Sequence, residues 1–351
     1  MNKEDSRNQD QNSQSFRKLF SSSPENTGQV IDDKQLFIVA SKDLTDKLNT
    51  RFEQYANHFK NQLQLSFIES SDNDRIEKLL TESITNPMSV VLTLGTHTYI
   101  EDIFFAEAEK QINPFNMGNC STSGEELLYQ GALKEKYTHQ IFLTNLIQIG
   151  LQLHLSSPNF LNKLDEENFE YHRVGALKED FTQVEPLMRD INYLRFDANS
   201  IKNSDFPAKS DFNPSGLTSE EALQTLRYAG LSPKMNLIHF TGFLEEHIDP
   251  VSLEFLAQAV WYISHGLDGK VTEDPFNSQT IQEYVIEHDY YDFPLSFLRS
   301  KKSGRWWMKI PSTPDAPFTH IAIACDAHDY QKVIEGEIPY RLLKALERGK
   351  A

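Results

Sequence analysis

Asp197 and Asn199 stand two positions apart in Phe196-Asp197-Ala198-Asn199, at the end of a short apolar run. As chemistry this reads as a metal-binding D-x-D pair with an amide in place of its second carboxylate. Hard divalent cations take oxygen ligands, and the carboxylates among them supply the charge that holds the ion. Asn199 keeps a carbonyl oxygen but adds no negative charge. A second candidate ligand is His97, where Val90-Val91-Leu92-Thr93-Leu94 runs into Gly95-Thr96-His97. Taken alone, His97 is an ordinary strand-end histidine.

The elements that must position these residues follow from hydrophobic periodicity. Residues 35–40, 63–68, 89–94, 140–146, 193–196, 237–240 and 320–324 read as short apolar strands. Amphipathic stretches at 44–59, 74–84, 99–110, 219–229 and 252–265 read as helices between most of them. Alternation of strand and helix predicts an α/β fold with three α/β/α layers around a mostly parallel sheet. Ligands in such folds sit beyond the carboxyl ends of the strands, so segments 95–98, 197–199 and 241–245 should converge. Thr218 and Glu221 predict a capping box at one helix start, and Gly230 its C-cap.

The whole chain narrows the classes of function. Its 351 residues suffice for one large domain. We expect a polar N-terminal tail over residues 1–30, a single domain over 31–351, and a C-terminal extension from about residue 295. A net charge of −17 opposes phosphate backbones, so nucleic acid is not an expected partner. No run approaches the ~18 apolar residues of a membrane span, and there is no secretory h-region, so we expect no membrane insertion and a cytoplasmic location. Cys120 and Cys325 form no metal-binding or disulfide pattern. In Arg305-Trp306-Trp307 the adjacent indoles should point to opposite faces of a strand, one into the core and the other toward a covering loop, a protein partner or a second copy.

After the Phe-Asp strand come a Pro-containing loop, Gly216-Leu217-Thr218-Ser219-Glu220-Glu221 and the run Leu237-Ile238-His239-Phe240. This order resembles the ureohydrolase superfamily of arginases, agmatinases and formimidoylglutamases. Val184-Glu185-Pro186-Leu187-Met188-Arg189-Asp190, Tyr228-Ala229-Gly230-Leu231-Ser232 and the C-terminal segments resemble a divergent, formimidoylglutamase-like bacterial branch with eroded metal ligands. The resemblance runs from about residue 35 to the C-terminus. It implies an arginase-like fold and, in active members, two manganese ions at the strand ends that serve hydrolysis of guanidino or formimino C–N bonds.

Carried over residue by residue, the resemblance matches His97 to the first ligand. Residues 112–118 match the middle D-x-H-x-D element, with Asn113 and Asn116 in place of its carboxylates. Asp197 and Asn199 match the last element. A substrate-orienting Glu aligns with Gly242, with Glu245 nearby as a substitute. Only His97 and Asp197 are retained, so the expectation is a protein that has lost binuclear manganese catalysis and serves as a binding or scaffold protein. The alternative is a manganese-dependent hydrolase of linear amidine or guanidino C–N bonds, recruiting Asp205, Glu245 or Asp326. A third reading is a small-molecule sensor. Asp326-Ala327-His328-Asp329 imitates a ligand motif out of order and is expected to be a capped helix start.

Overall fold

The computed structural model describes residues 15–20, 34–59, 63–112, 115–124, 143–287, 294–311 and 320–348. Its first half runs β1 (Lys34–Ala40), α1 (Lys42–Phe52), β2 (Leu63–Glu69), α2 (Asn73–Thr85), β3 (Ser89–Leu94), α3 (Thr98–Gln111), β4 (Phe115–Cys120) and β5 (Leu143–Leu151). Next come α4 (Pro158–Glu166), β6 (Glu170–Arg173), α5 (Val174–Glu179), α6 (Val184–Arg189), β7 (Tyr193–Asp197), α7 (Ser219–Leu231), β8 (Leu237–Thr241) and α8 (Pro250–Asp268). These strands form an eight-stranded sheet in the order β2-β1-β3-β8-β7-β4-β5-β6, every neighbouring pair parallel.

Both faces of the sheet are covered, which is why its central strands β1, β3 and β8 read as largely apolar runs. In β1, Leu36, Ile38 and Ala40 face a core shared with α1, α7 and α8. The alternate residues Phe37 and Val39 face α2 and α3. The three-layer expectation holds. One sequence reading is corrected at α7, whose capping box at Thr218 and Glu221 is present. Gly230 lies inside this helix, not at its cap: a Cβ there would stand 2.3 Å from the Ile263 carbonyl oxygen. Gly266 on α8 is pressed in the same way on the Arg227 carbonyl, at 2.1 Å. The glycines let the two helix backbones meet.

Residues 15–20, inside the stretch whose composition suggested a tail, are docked on the domain. Phe16 is fully buried and packs edge-on against Phe52, while Phe20 stacks on Phe52 and Phe67. Averaged over 30 residues, a polar composition hides two anchoring rings.

A second sheet follows, β9 (Ile281–Ile286), β10 (Leu295–Ser300), β11 (Trp306–Pro311) and β12 (His320–Cys325), antiparallel throughout. Helices α9 (Ala327–Ile334) and α10 (Tyr340–Arg348) complete it. Buried ion pairs join this unit to the main sheet. Arg341 Nε lies 3.3 Å from Glu170 on β6, and its Nη2 lies 3.1 Å from Asp190. Arg341 Nη1 also donates to the carbonyls of Pro186 and Ala324. Burial alone would raise the Glu170 carboxyl, but Arg341, then His172 and Arg348, hold it down at about 2.

Candidate functional site

Parallel strands deliver their carboxyl ends to one edge, and segments 95–97, 197–199 and 241–245 meet there as expected. The Gly95 N–H donates to the Phe240 carbonyl at 3.0 Å, tying the end of β3 to β8. Gly95 has φ +117°, and a Cβ on it would stand 3.0 Å from Glu245 Oε1 and 3.2 Å from His97 Nε2. Glu245 and His97 therefore flank the same glycine. His97 occupies the N-cap position of α3 without a side-chain cap, and its Nε2 lies 3.2 Å from the Leu94 carbonyl oxygen.

Asp197, 9% exposed, lies against the backbone of Gly242. A Cβ at Gly242, whose φ is +80°, would fall 1.9 Å from Asp197 Oδ1. That oxygen accepts the Asn199 N–H at 2.8 Å, so the carboxylate caps the short 3-10 turn of residues 198–200. The Asn199 side chain is engaged at both ends. Its carbonyl accepts the Asp211 N–H at 2.8 Å, and its amide nitrogen donates to Ser210 Oγ at 3.0 Å. The loop between β7 and α7 thus folds back on the D-x-N turn. Gln152 at the end of β5 pins the same loop, its Oε1 accepting from Ser215 Oγ at 2.7 Å.

The middle element requires a correction. Asn113 lies outside the described residues. Asn116 sits at the amino end of β4, where its Nδ2 donates to the Asp190 carbonyl at 2.9 Å, a strand length from Asp197. The cause is local: Phe115-Asn116-Met117-Gly118-Asn119-Cys120 is itself the strand. The residues that reach the carboxyl edge from β4 are Asn119 and Ser121. Asn119 Nδ2 donates to Ser121 Oγ at 2.9 Å and to Gln148 Oε1 at 2.7 Å, and Gln148 Nε2 donates to the Ser121 carbonyl at 2.9 Å. This edge is built of amides and hydroxyls.

Below it lies a polar layer that sequence reasoning missed. His239 Nδ1 lies 2.5 Å from Thr93 Oγ1; burial, then the charge of Arg195 and of His97, lowers this imidazole to about 3, so it is neutral. Arg195 Nε lies 3.7 Å from Glu101 Oε1 on α3, and the Tyr193 hydroxyl donates to that same carboxylate. The available signal was alternation, since 195 and 197 share one face of β7 and 239 and 241 one face of β8. Lys209, 3% exposed, lies in the loop after β7 and donates to the carbonyls of Ile201 at 2.6 Å and Asn213 at 2.8 Å. Among the described residues, no three or more His, Cys, Asp or Glu side chains are grouped to hold a metal ion.

Asp205 and Asp326 each serve the start of a helix. Asp205 accepts the Ser219 N–H at 2.9 Å and lines an open groove of about 690 Å³ with Arg51, Glu220 and Glu254. Asp326 and Asp329 form a reciprocal capping box at the start of α9, as expected for that motif. The tandem indoles do point to opposite faces of β11, Trp307 buried and Trp306 half-buried. Trp307 is 6% exposed beneath the Arg189 guanidinium, and Trp306 stacks with Tyr284 and Tyr330. No described helix is long and apolar enough to cross a membrane.

No sequence-family model matches the chain. No curated protein matches it in sequence. Solved structures do match. Formimidoylglutamase from Bacillus subtilis aligns at TM-score 0.56 and 13% identity over 73% of this chain and 92% of that one. Trypanosoma cruzi formiminoglutamase with Mn2+ aligns at 0.55 and 11% over 71% and 97%. Proclavaminate amidino hydrolase from Streptomyces clavuligerus aligns at 0.50 and 12% over 73% and 97%. The chain shares the fold of these formiminoglutamase and arginase-superfamily structures, at 11–13% sequence identity.

Proposed function

We propose that this protein keeps the ureohydrolase fold without binuclear manganese catalysis and acts as a binding or scaffold protein. One observation carries the reading: the Asn199 carbonyl, which the resemblance matches to a carboxylate ligand, accepts the Asp211 N–H and so belongs to a closed loop. Two manganese ions would bring four positive charges, and carboxylate oxygens would have to offset that charge to hold the pair together. Asp197 and the rim residue Glu245 are few carboxylates for that purpose, and the β4 edge adds Asn119 and Ser121, both neutral. Among the described residues this set, with Asp211 beside Asn199, does not fit a two-metal centre.

The alternative, a manganese-dependent hydrolase of linear amidine or guanidino C–N bonds, draws its support from Glu245 and His97 flanking Gly95. One assay separates the two. The full chain, incubated with manganese, is offered formimidoyl amino acids and guanidino compounds, and the release of formamide, ammonia or urea is followed. No manganese-stimulated turnover is expected, in the wild type or in Asn199→Asp. Turnover that rises with manganese overturns the proposal.

A further inference from the structure

Residues 15–20 sit in a slot that the rest of the domain builds, between the end of α1 and the outermost strand β2. The Phe16 ring lies 5.2 Å from that of Phe52 and 5.3 Å from that of Phe59. Phe20 stacks at 5.1 Å on Phe52 and at 5.0 Å on Phe67, and Leu19 packs against the same core. The main chain adds the Phe16 N–H donated to the Tyr55 carbonyl at 2.9 Å and single bridges of Ser15 to Ala56 and of Phe20 to Leu65. The apolar positions 16, 19 and 20 have the i, i+3, i+4 spacing of a segment that lays one face into a groove. Its flanks offer nothing comparable, since residues 2–14 and 21–29 contain no Val, Leu, Ile, Met or aromatic residue. An apolar triplet within a polar tract has the composition of a recognition motif that orders on docking.

We propose that this slot is a peptide-binding site whose self-docked occupant is the segment 15–20. Its partner is a basic segment of another protein that presents two phenylalanines four residues apart, with a leucine before the second. The occupant is the template for that partner: Phe16 and Phe20 fill the slot, while Arg17 and Lys18 carry positive charge onto a chain of net charge −17. The slot lies at the β2 edge, whereas the candidate site gathers at the ends of β3, β7 and β8, so this inference is independent of whether that site holds metal. A ligand tethered by a short linker acts at an effective concentration on the order of mM. A partner therefore enters only in the fraction of molecules whose own segment has left, and its apparent affinity falls by that fraction. The segment is an autoinhibitory contact.

A labelled synthetic peptide of residues 11–24 is the probe, and its fluorescence anisotropy the readout. The full chain is made as wild type and as the double variant Phe16→Ser, Phe20→Ser, which empties the slot of its own rings. The variant should bind the peptide saturably and at least about tenfold more tightly than the wild type. A peptide carrying the same two serines should not bind. Equal affinity for the two chains, no saturable binding to the variant, or equal binding of the serine peptide overturns the proposal. If the variant does not fold, a protease site placed within residues 21–29 of the otherwise unchanged chain is cut after folding. The cut segment should then leave on dilution, and the labelled peptide should take its place on a domain that stays folded by circular dichroism. A cut segment that does not exchange, or a domain that unfolds on cutting, shows residues 15–20 to be an integral part of the core and overturns the proposal.

Discussion

Gly242 and Asp197 are fitted to each other. A side chain at Gly242 would meet both the strain of φ +80° and the carboxylate oxygen 1.9 Å from its Cβ. Gly242→Ala should therefore lower stability by about 1–3 kcal/mol, the range for a non-glycine residue held in a sparsely populated backbone region. Urea denaturation checks this, and a midpoint equal to wild type would mean that the carboxylate swings away freely. At this scale the sequence was legible where residue type and strand position coincide: Asp197, His97 and Glu245 all lie at the edge to which the strand pattern assigned them. Lys209, Arg195 and His239 were not. A lysine in a loop carries no periodic signal, and polar residues inside short buried strands read as interruptions until the faces of the sheet are known.

Helices α7 and α8 show two opposing local rules and which one prevails. By helix propensity, Gly230→Ala should stabilise α7 by about 1 kcal/mol. The added methyl would stand 2.3 Å from a main-chain oxygen of α8, and that backbone cannot rotate aside as a flexible side chain would. Overpacking of this kind costs about 1–3 kcal/mol, so the net effect should be destabilising. A higher melting temperature for Gly230→Ala would contradict the close contact. Among the strands, β1, β3 and β8 were readable because burial on both faces makes them largely apolar runs, and β2 and β7 because apolar residues still dominate them. Strand β4 was not, because Asn116, Gly118 and Asn119 give it the composition of a loop. That misreading moved the expected middle element to the wrong end of the strand. The composition of the first 30 residues likewise concealed Phe16 and Phe20, since two rings suffice to dock a polar segment.

Across the whole molecule, the second sheet is joined to the first through Glu170, Asp190 and Arg341, all buried. Removing the guanidinium takes from buried Glu170 its main counter-charge and from buried Asp190 a second one after Lys234, so Arg341→Met should cost about 3–5 kcal/mol. The same cluster sets an acid limit. The Glu170 carboxyl is held at about 2 against an ordinary 4.5, so the unfolded chain binds more protons between those values. Its contribution is complete above pH 4.5 and is lost as pH falls toward 2. Glu170→Gln should flatten the stability profile over that window, and an unchanged slope would show that the cluster does not govern acid unfolding. The overall architecture was legible from alternating strands and helices, but the ion pairs were not, because their partners lie far apart in sequence. Whether the fold can still hold two divalent ions depends on the charge at the carboxyl edge of the main sheet. The most direct measurement is manganese per chain, by elemental analysis of the full-length protein produced with manganese and freed of loosely held metal. No stoichiometric manganese is the expected result, and two ions per chain would contradict the claim that this fold has given up its binuclear centre.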